Sequence, residues 1–319
     1  MAMLCRVPAA RAADGGWKLP DKNPVRVIEN QWIAMKDGIQ LSARIWLPYT
    51  AQRAPVVLEY IPYRKRDLYR GHDNSWGQQL AQYGIAYARV DARGSGDSQG
   101  ILVDEYLEQE LLDGVELIAW LARQSWSNGS VGMRGISWGG INTLQIAALE
   151  PPELKAIMPM CCTDTRYTED AHYIGGALGL TDLQWGVQFK AVMAMPPDPV
   201  IAGESWRHQW QERLEAAPPI LAHWLSHQRD DAFWRRGSVA TDYPSYQVPD
   251  IHRRWLGRHL REYGHAPART ARGTAQSVVR PLGTQLSRIG ESRAELELGL
   301  GRGPMVEALA GRCAHRNHG

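Results

Sequence analysis

Alternating apolar and polar residues from Val27 onward predict the first β-structure. Val27 to Met35 and Gln40 to Leu47 follow this two-residue period on either side of Lys36-Asp37-Gly38. Such a pattern around a Gly-containing turn is typical of a β-hairpin. Short apolar runs, which predict further strands, follow at Pro55–Ile61, Ile85–Val90, Val131–Arg134 and Leu154–Met160.

Helical patterns separate these strands. Apolar residues recur at helical spacing between about Leu107 and Arg123, and shorter helices are expected from about Trp76 to Tyr83 and just before Pro151. Strands that alternate with helices in this way indicate a mostly parallel sheet covered by helices on both faces. The predicted fold class is therefore α/β.

Strand signals stop at about residue 163. The segment up to residue 245 has five tryptophans in helix-like, polar surroundings, Trp185, Trp206, Trp210, Trp224 and Trp234. We interpret it as a helical cap inserted over the sheet. The expected regions are a poorly ordered segment at 1–26, an α/β core at 27–162, a cap at 163–249 and a tail at 250–319.

The composition is that of a globular protein, with 44% hydrophobic and 22% charged residues among 319. No run of about 18 uncharged apolar residues predicts a membrane span. The four cysteines, Cys5, Cys161, Cys162 and Cys313, have neither the number nor the spacing of a disulfide framework or zinc site. A reducing cytoplasm is the expected compartment, and no metal or organic cofactor is predicted.

Gly135-Ile-Ser137-Trp-Gly139 lies directly after a predicted strand and before a predicted helix. This is the setting of a nucleophile elbow, in which the serine stands on a sharp turn with its hydroxyl exposed. Gly135 and Gly139 leave room for the crowded backbone. The alternative interpretation is an ordinary strand-to-helix turn with a buried serine.

A serine that attacks a carbonyl also needs hydrogen-bond donors for the oxyanion. The backbone N–H of Trp138, the residue after Ser137, is one candidate. Tyr63 follows the third strand, in the loop from which the second donor normally comes, and its phenol could donate. The alternative is that Tyr63 only anchors this loop.

Several motifs together resemble the CocE/NonD hydrolases, the cocaine-esterase and X-Pro dipeptidyl-peptidase group of α/β-hydrolases. They run in order from about residue 27 to 249 and include Ile61-Pro-Tyr-Arg-Lys65, Asp91-Ala-Arg-Gly-Ser-Gly-Asp-Ser98, Gln124-Ser-Trp-Ser-Asn-Gly129, Val131-Gly-Met-Arg-Gly-Ile-Ser-Trp-Gly-Gly140 and the cap segment Asp164–Gly176.

The resemblance implies an α/β-hydrolase fold with a helical cap. It also implies that Ser137 is the nucleophile and that the Trp138 N–H and the Tyr63 hydroxyl form the oxyanion hole. His172 falls in a cap motif of the family, where a structural or pocket-lining role is expected rather than proton transfer. The turn from Arg93 to Gly96 is expected to shape the backbone rather than to bind phosphate.

The triad partners of Ser137 are missing from the sequence. The family would supply an Asp from Gly-Gly-Trp-x-Asp and a His from Gly-Pro-Trp-x-His, and neither string occurs after Ser137. Of the remaining histidines, His252, His259 and His265 are weak candidates. They lie in a tail, residues 251–319, that has twelve Arg and five Glu but no Lys or Asp, and so a net charge of +7.

We interpret residues 250–319 as the product of a frameshift. Read one nucleotide out of register, His252–Leu260 can encode Gly-Gly-Trp-Ala-Asp-Thr-Tyr, and Arg280–Gln285 can encode Gly-Pro-Trp-Ala-His. These are the two missing motifs, in family order. An out-of-frame GC-rich gene also explains the Arg-rich composition without nucleic-acid binding. The C-terminal part of the fold would then be missing and the tail poorly ordered.

The expected function is that of a serine hydrolase acting through an acyl-enzyme on an ester or amide, with an acyl or X-Pro dipeptidyl substrate. Its activity is expected to be impaired because the triad Asp and His are absent. The alternative is a catalytically dead fragment or a protein that binds a ligand or partner. A small molecule or peptide is the expected substrate, with no nucleic acid and no membrane as partner; the sequence leaves the oligomeric state open.

Overall fold

The computed structural model describes residues 21–67 and 69–240. Its main sheet has six strands, which are β1 (Val25–Ala34), β2 (Gln40–Pro48), β3 (Ala54–Ile61), β4 (Ala86–Asp91), β5 (Ser127–Ile136) and β6 (Leu154–Met160). All strands predicted from the sequence are present. The hairpin begins at Val25, two residues before the expected start of the core.

The strand order in the sheet is β1-β2-β4-β3-β5-β6. The β1–β2 and β2–β4 pairs are antiparallel, whereas β4–β3, β3–β5 and β5–β6 are parallel. The mostly parallel sheet is therefore confirmed, with the hairpin at one edge. The carboxyl ends of β3 and β5 are neighbours, so the loops that follow these two strands emerge side by side.

Three helices cover the sheet, namely α1 (Arg70–Gln82), α2 (Glu108–Ala122) and α3 (Trp138–Ala148). α2 and α3 pack on one face through a core that includes Leu58, Leu117 and Ile146, while α1 packs near Trp46 and Tyr87 on the other. These residues are at most 2% exposed. Burial of the apolar faces of the helices is the main force that holds the layers together.

α1 begins six residues earlier than the sequence pattern predicts. Its first turns contain Gly71, His72 and Asp73, which give no apolar periodicity. Asp73 is buried, and its carboxylate accepts a 2.8 Å hydrogen bond from the equally buried Arg89 of β4. The ion pair between Asp73 and Arg89 thus stabilises the start of the helix in place of buried apolar side chains. Hydrophobic periodicity cannot predict such a start, because the residues involved are polar.

The cap is helical, as expected, but it also contains a small hairpin. Its elements are α4 (Arg166–Glu169), β7 (Tyr173–Ile174), β8 (Ala177–Leu178), α5 (Leu180–Met193), α6 (Pro199–Ala202), a 3₁₀ turn (Gly203–Ser205), α7 (Trp206–Ala216), α8 (Ile220–Ser226) and α9 (Ala232–Arg235). Gly175 and Gly176 turn the β7–β8 hairpin with positive φ angles of 62° and 79°. Two-residue strands are too short to show alternation, so the sequence pattern does not reveal them.

Buried polar contacts fasten the cap to the core. The Arg213 guanidinium of α7 donates to the carbonyl oxygens of Gly96 (2.9 Å) and Ser98 (2.6 Å) in the turn after β4. The backbone N–H of Asp198 donates to the Asp97 carboxylate at 2.9 Å. Arg213 is 3% exposed, and a buried guanidinium that satisfies carbonyl groups fixes the separation of two segments strongly.

The predictions for residues 1–20, for the last part of the cap at 241–249 and for the tail at 250–319 lie outside the described residues. Among the helices of residues 21–67 and 69–240, none has the length and apolar character needed to cross a membrane.

Candidate active site

Ser137 lies on the turn between β5 and α3, at the carboxyl end of the sheet. Its φ is 55° and its ψ is −117°, a conformation that costs a non-glycine residue of order 1–3 kcal/mol. The Ser137 N–H donates to the carbonyl oxygen of Met160 in β6 (2.9 Å), and the Ser137 carbonyl accepts from Gly140 and Ile141. These hydrogen bonds hold the strained residue at the first turn of α3.

The two elbow glycines are required by packing. A Cβ atom at Gly135 would lie well inside 3.0 Å of the carbonyl oxygen of Gly139, which is backbone and has no side-chain torsion to relieve the clash. A Cβ atom at Gly139 would lie 2.9 Å from Cδ1 of Ile61. The strand and the helix therefore approach too closely at this turn for any side chain at residue 135.

Three predicted site residues converge at the turn. The Trp138 backbone N–H points to the Tyr63 hydroxyl, with the nitrogen and oxygen 3.4 Å apart, and the Ser137 side chain hydrogen-bonds to the same hydroxyl. Burial raises the pKa of Tyr63 far above its ordinary value, and the bonds from Ser137 and Trp138 only partly offset this effect. Tyr63 is therefore a neutral phenol that can donate a proton in a hydrogen bond.

Two aromatic side chains fix the ring of Tyr63. Tyr69 stacks on it with the ring centroids 5.3 Å apart and the planes 23° apart. Trp185 of α5 meets it edge-on, with the centroids 6.1 Å apart and the planes 85° apart. Offset stacking and edge-to-face contacts are both favourable arrangements of aromatic rings. The phenol is thus held from the core side by a loop residue and from the cap side by a helix residue.

The Trp138 side chain is anchored in the cap–core interface. It stacks on Phe189 with the centroids 5.2 Å apart, and its indole N–H donates to Oε1 of Glu110 at 2.6 Å. Asn142 donates to the same carboxylate oxygen, also at 2.6 Å. Glu110 is 3% exposed, and this burial raises its pKa to about 7. The residue that offers its N–H to the site is therefore fixed through a carboxyl that titrates near neutral pH.

His172 is fully buried and hydrogen-bonded through both ring nitrogens. Nδ1 lies 2.6 Å from Oδ1 of Asp182 and Nε2 lies 2.9 Å from Oε2 of Glu105. Burial opposes its protonation, but the charge of Glu105 and the bond to Asp182 raise the pKa of His172 to about 9. An imidazolium that donates to two carboxylates has no free nitrogen with which to accept a proton from Ser137.

The turn after β4 has contacts that favour the backbone interpretation. Arg93 forms a bidentate pair with Asp113, with both distances 2.7 Å, and an ion pair with Asp37 at 2.8 Å. The backbone of Leu102 packs so closely against Gly94 that a Cβ atom would not fit there. The guanidinium is thus already committed to two carboxylates.

The site contains residues that the sequence did not predict, chiefly Glu105, Glu110 and Trp185. Each acts through a partner between 28 and 80 positions away, so that no local pattern could reveal it. Among the residues that the structure describes, no hydrogen bond joins Ser137 to a histidine. The weak candidates His252, His259 and His265 lie outside the described residues.

The chain is similar to a peptidase family and to proteins named as esterases. The sequence model of the X-Pro dipeptidyl-peptidase (S15) family matches residues 37–253. A Mycobacterium bovis protein named as a serine esterase is 27% identical over an alignment of 240 positions that covers 69% of this chain and 36% of that protein. The cocaine esterase of Rhodococcus sp. is 30% identical over an alignment of 163 positions that covers 49% of this chain and 27% of the esterase. The chain thus spans only about a third of the length of the relatives it matches.

Solved structures agree on the fold. A CocE/NonD family hydrolase from Staphylococcus aureus superposes with a TM-score of 0.56 and 22% identity, covering 70% of this chain and 40% of that one. An α-amino acid ester hydrolase superposes with a TM-score of 0.50 and 20% identity, covering 74% of this chain and 43% of that one. The predicted α/β-hydrolase fold is confirmed by these similarities.

Proposed function

Because the chain belongs to the X-Pro dipeptidyl-peptidase (S15) family, we propose that it is built as a serine hydrolase that acts on an ester or amide through Ser137. Relatives named as esterases support hydrolase chemistry on small-molecule or peptide substrates. The observation that carries the proposal is the convergence of the Ser137 side chain, the Tyr63 hydroxyl and the Trp138 N–H at one point.

In the proposed reaction the Ser137 oxygen attacks the carbonyl carbon of the substrate, and the carbonyl π electrons move to the oxygen. The hydroxyl proton of Ser137 passes to a general base, or to water where no base is present, and is returned to the alcohol or amine as it leaves. The resulting oxyanion accepts hydrogen bonds from the Trp138 N–H and the Tyr63 O–H, donors that are in place before the charge develops. Collapse of the tetrahedral intermediate expels the alcohol or amine and leaves an acyl-Ser137 ester. Water then hydrolyses this ester and regenerates the serine.

The general base for this reaction is not among the described residues. His172 uses both ring nitrogens as donors to carboxylates, so it is a poor candidate. Loss of the triad histidine reduces turnover by several powers of ten, and the oxyanion hole and substrate binding account for the residual rate. We therefore expect weak activity from this chain, and full activity from a gene product read in the shifted frame after about residue 249.

A second candidate function is binding without turnover. The lack of a base beside Ser137 among the described residues and the aromatic cluster of Trp138, Trp185 and Phe189 favour it. Aromatic walls bind apolar or aromatic groups regardless of whether a reaction follows. Under this alternative the cap holds a hydrophobic ligand, and Ser137 is an unreactive part of the wall.

Hydrolysis of p-nitrophenyl acetate and of an X-Pro p-nitroanilide by three proteins separates these possibilities. We expect slow release of p-nitrophenol from the ester and of p-nitroaniline from the anilide by this chain, none above background by S137A, and rapid release by the frame-restored product. Equal rates for the chain and S137A would contradict the role of Ser137. Rapid, Ser137-dependent turnover by this chain would contradict the expectation that it lacks the triad histidine.

A further inference from the structure

Glu105 lies in the segment before α2 and reaches into the cap with its carboxylate. The side chain is 1% exposed. Its Oε1 accepts a hydrogen bond from the Trp185 indole N–H at 2.5 Å, while Oε2 accepts from Arg166 at 2.5 Å and faces Nε2 of His172 at 2.9 Å. One core carboxylate therefore joins three cap side chains, two of them cationic.

The two cations keep Glu105 ionised in this buried place. Burial alone would favour the neutral acid, but the charges of His172 and Arg166 more than offset it and hold the pKa of Glu105 at about 2. Asp182 in turn holds the far nitrogen of His172 at 2.6 Å. The carboxylate is thus a permanent acceptor, and its orientation is fixed from two directions.

Trp185 connects the Glu105 carboxylate to the residues around Ser137. Its ring meets the rings of Tyr63 and Trp138 edge-on, with centroid distances of 6.1 and 6.3 Å. These are the two residues whose N–H and O–H groups we propose as the oxyanion donors. The hydrogen bond to Glu105 fixes the rotation of the indole, which packing alone against flat aromatic surfaces restrains less sharply.

We infer that Glu105 is a positioning residue, which holds the Trp185 indole as a wall over Ser137 and thereby sets the size of the group that the site accepts beside the oxyanion donors. The effect on the size of the accepted group rests on the proposed function, whereas the hydrogen bond between Glu105 and Trp185 does not depend on any reaction. His172 and Arg166 act as the cationic supports of Glu105.

Asp104 provides a matched control. It also accepts a hydrogen bond from a buried indole, that of Trp224, at 2.9 Å. The Trp224 ring meets the ring of His172 edge-on and that of Phe189 at a tilt, and no ring contact joins it to Tyr63 or Trp138 in the described part of the chain. Asp104 Oδ1 also accepts the backbone N–H of Glu105 at 2.8 Å. D104N removes the charge of this second carboxylate–indole pair but keeps an amide oxygen that can accept both bonds, and it leaves the Glu105 side chain and its bond to Trp185 in place.

Two measurements test the inference. In the first, the indole N–H resonance of Trp185 is identified by its absence from the ¹H–¹⁵N spectrum of W185F and then followed in E105Q, E105D and D104N. We expect it to move in E105Q, to return toward its original position in E105D and to stay in D104N. An unmoved resonance in E105Q would overturn the inference.

In the second, Ser137 is labelled with a small alkyl fluorophosphonate and with a bulky aryl fluorophosphonate. Loss of a charge-assisted bond predicts a change of about tenfold in the ratio of the two rates for E105Q, and no further change when E105Q is added to W185F. If E105Q changed the ratio of the two labelling rates as much in the W185F background as in the wild type, Glu105 would not act through Trp185, and the inference would be overturned. If no variant is labelled, the proposed function fails, while the spectrum still decides the role of Glu105.

Discussion

The substitution G135A tests the elbow on which the site depends. The added Cβ would lie well inside 3.0 Å of the carbonyl oxygen of Gly139, so either β5 or the first turn of α3 has to shift. Gly132 in the same strand is the matched control. There the nearest atom to an added Cβ is the Ala156 carbonyl oxygen at 3.6 Å, an ordinary contact.

The expected loss of stability in G135A depends on whether the clashing atom belongs to the backbone or to a flexible side chain. Overpacking a well-packed site costs about 1–3 kcal/mol, and the upper end applies where backbone rather than a flexible side chain must yield. For a folded unit of this size, about 3 kcal/mol corresponds to a fall in Tm of about 6–12 °C. G132A should stay within about 1 kcal/mol of the wild-type chain.

Thermal unfolding, followed by fluorophosphonate labelling of the folded variants, provides the assay. A shift of the α3 terminus by about 1 Å moves Trp138 N–H from its place and should slow labelling of Ser137 by about 100-fold in G135A. G132A should be labelled at the wild-type rate. If G135A matched G132A in both Tm and labelling rate, the packing argument for the elbow would be refuted.

Three further variants, the first with a matched control, have distinct expected outcomes. Y63F should slow labelling of Ser137 by about 100- to 1,000-fold with little change in Tm, since it removes one oxyanion donor, whereas Y49F at a side chain that is 74% exposed should change neither. Because the pKa of His172 is raised from 6.5 to about 9, its stabilisation is complete below pH 6.5 and is lost as the pH rises through 9. H172Q should therefore lose about 3 kcal/mol relative to the wild type at pH 6 and much less at pH 9.5, measured by urea unfolding. The pKa of Glu110 is raised from 4.5 to about 7, so wild-type stability should also decline as the pH rises from 4.5 through 7, and E110Q should flatten that part of the profile. A wild-type stability that is constant over both ranges would contradict these assignments.

The order of strands and helices could be predicted from the sequence because each element has its own period. The strand before Gly135 and the helix after Gly139 were expected from local pattern, and the turn between them from the glycine spacing. Tyr63 could be assigned to the site from its place in the loop after the third strand and from the resemblance to the CocE/NonD hydrolases. The structure adds the reason for the convergence, since β3 and β5 are parallel neighbours whose following loops emerge at the same edge of the sheet.

The rest of the site depends on contacts between distant segments. The partners of Glu105 are 61 to 80 positions away, and those of Glu110 are 28 and 32 positions away. Which carboxylate meets which indole depends on how the cap settles on the core, and hydrophobic periodicity carries no information on that. The same reason explains the early start of α1, where the Asp73–Arg89 pair substitutes for an apolar face.

The most direct test of the account is the location of a fluorophosphonate adduct by mass spectrometry of the intact chain and its peptides. The Ser137 oxygen should displace fluoride from phosphorus, and the added mass should lie on the peptide that contains Ser137, slowly in this chain, more slowly still in Y63F and not at all in S137A. An adduct on another serine, or one that forms equally in S137A, would contradict the assignment of Ser137 as the reactive group.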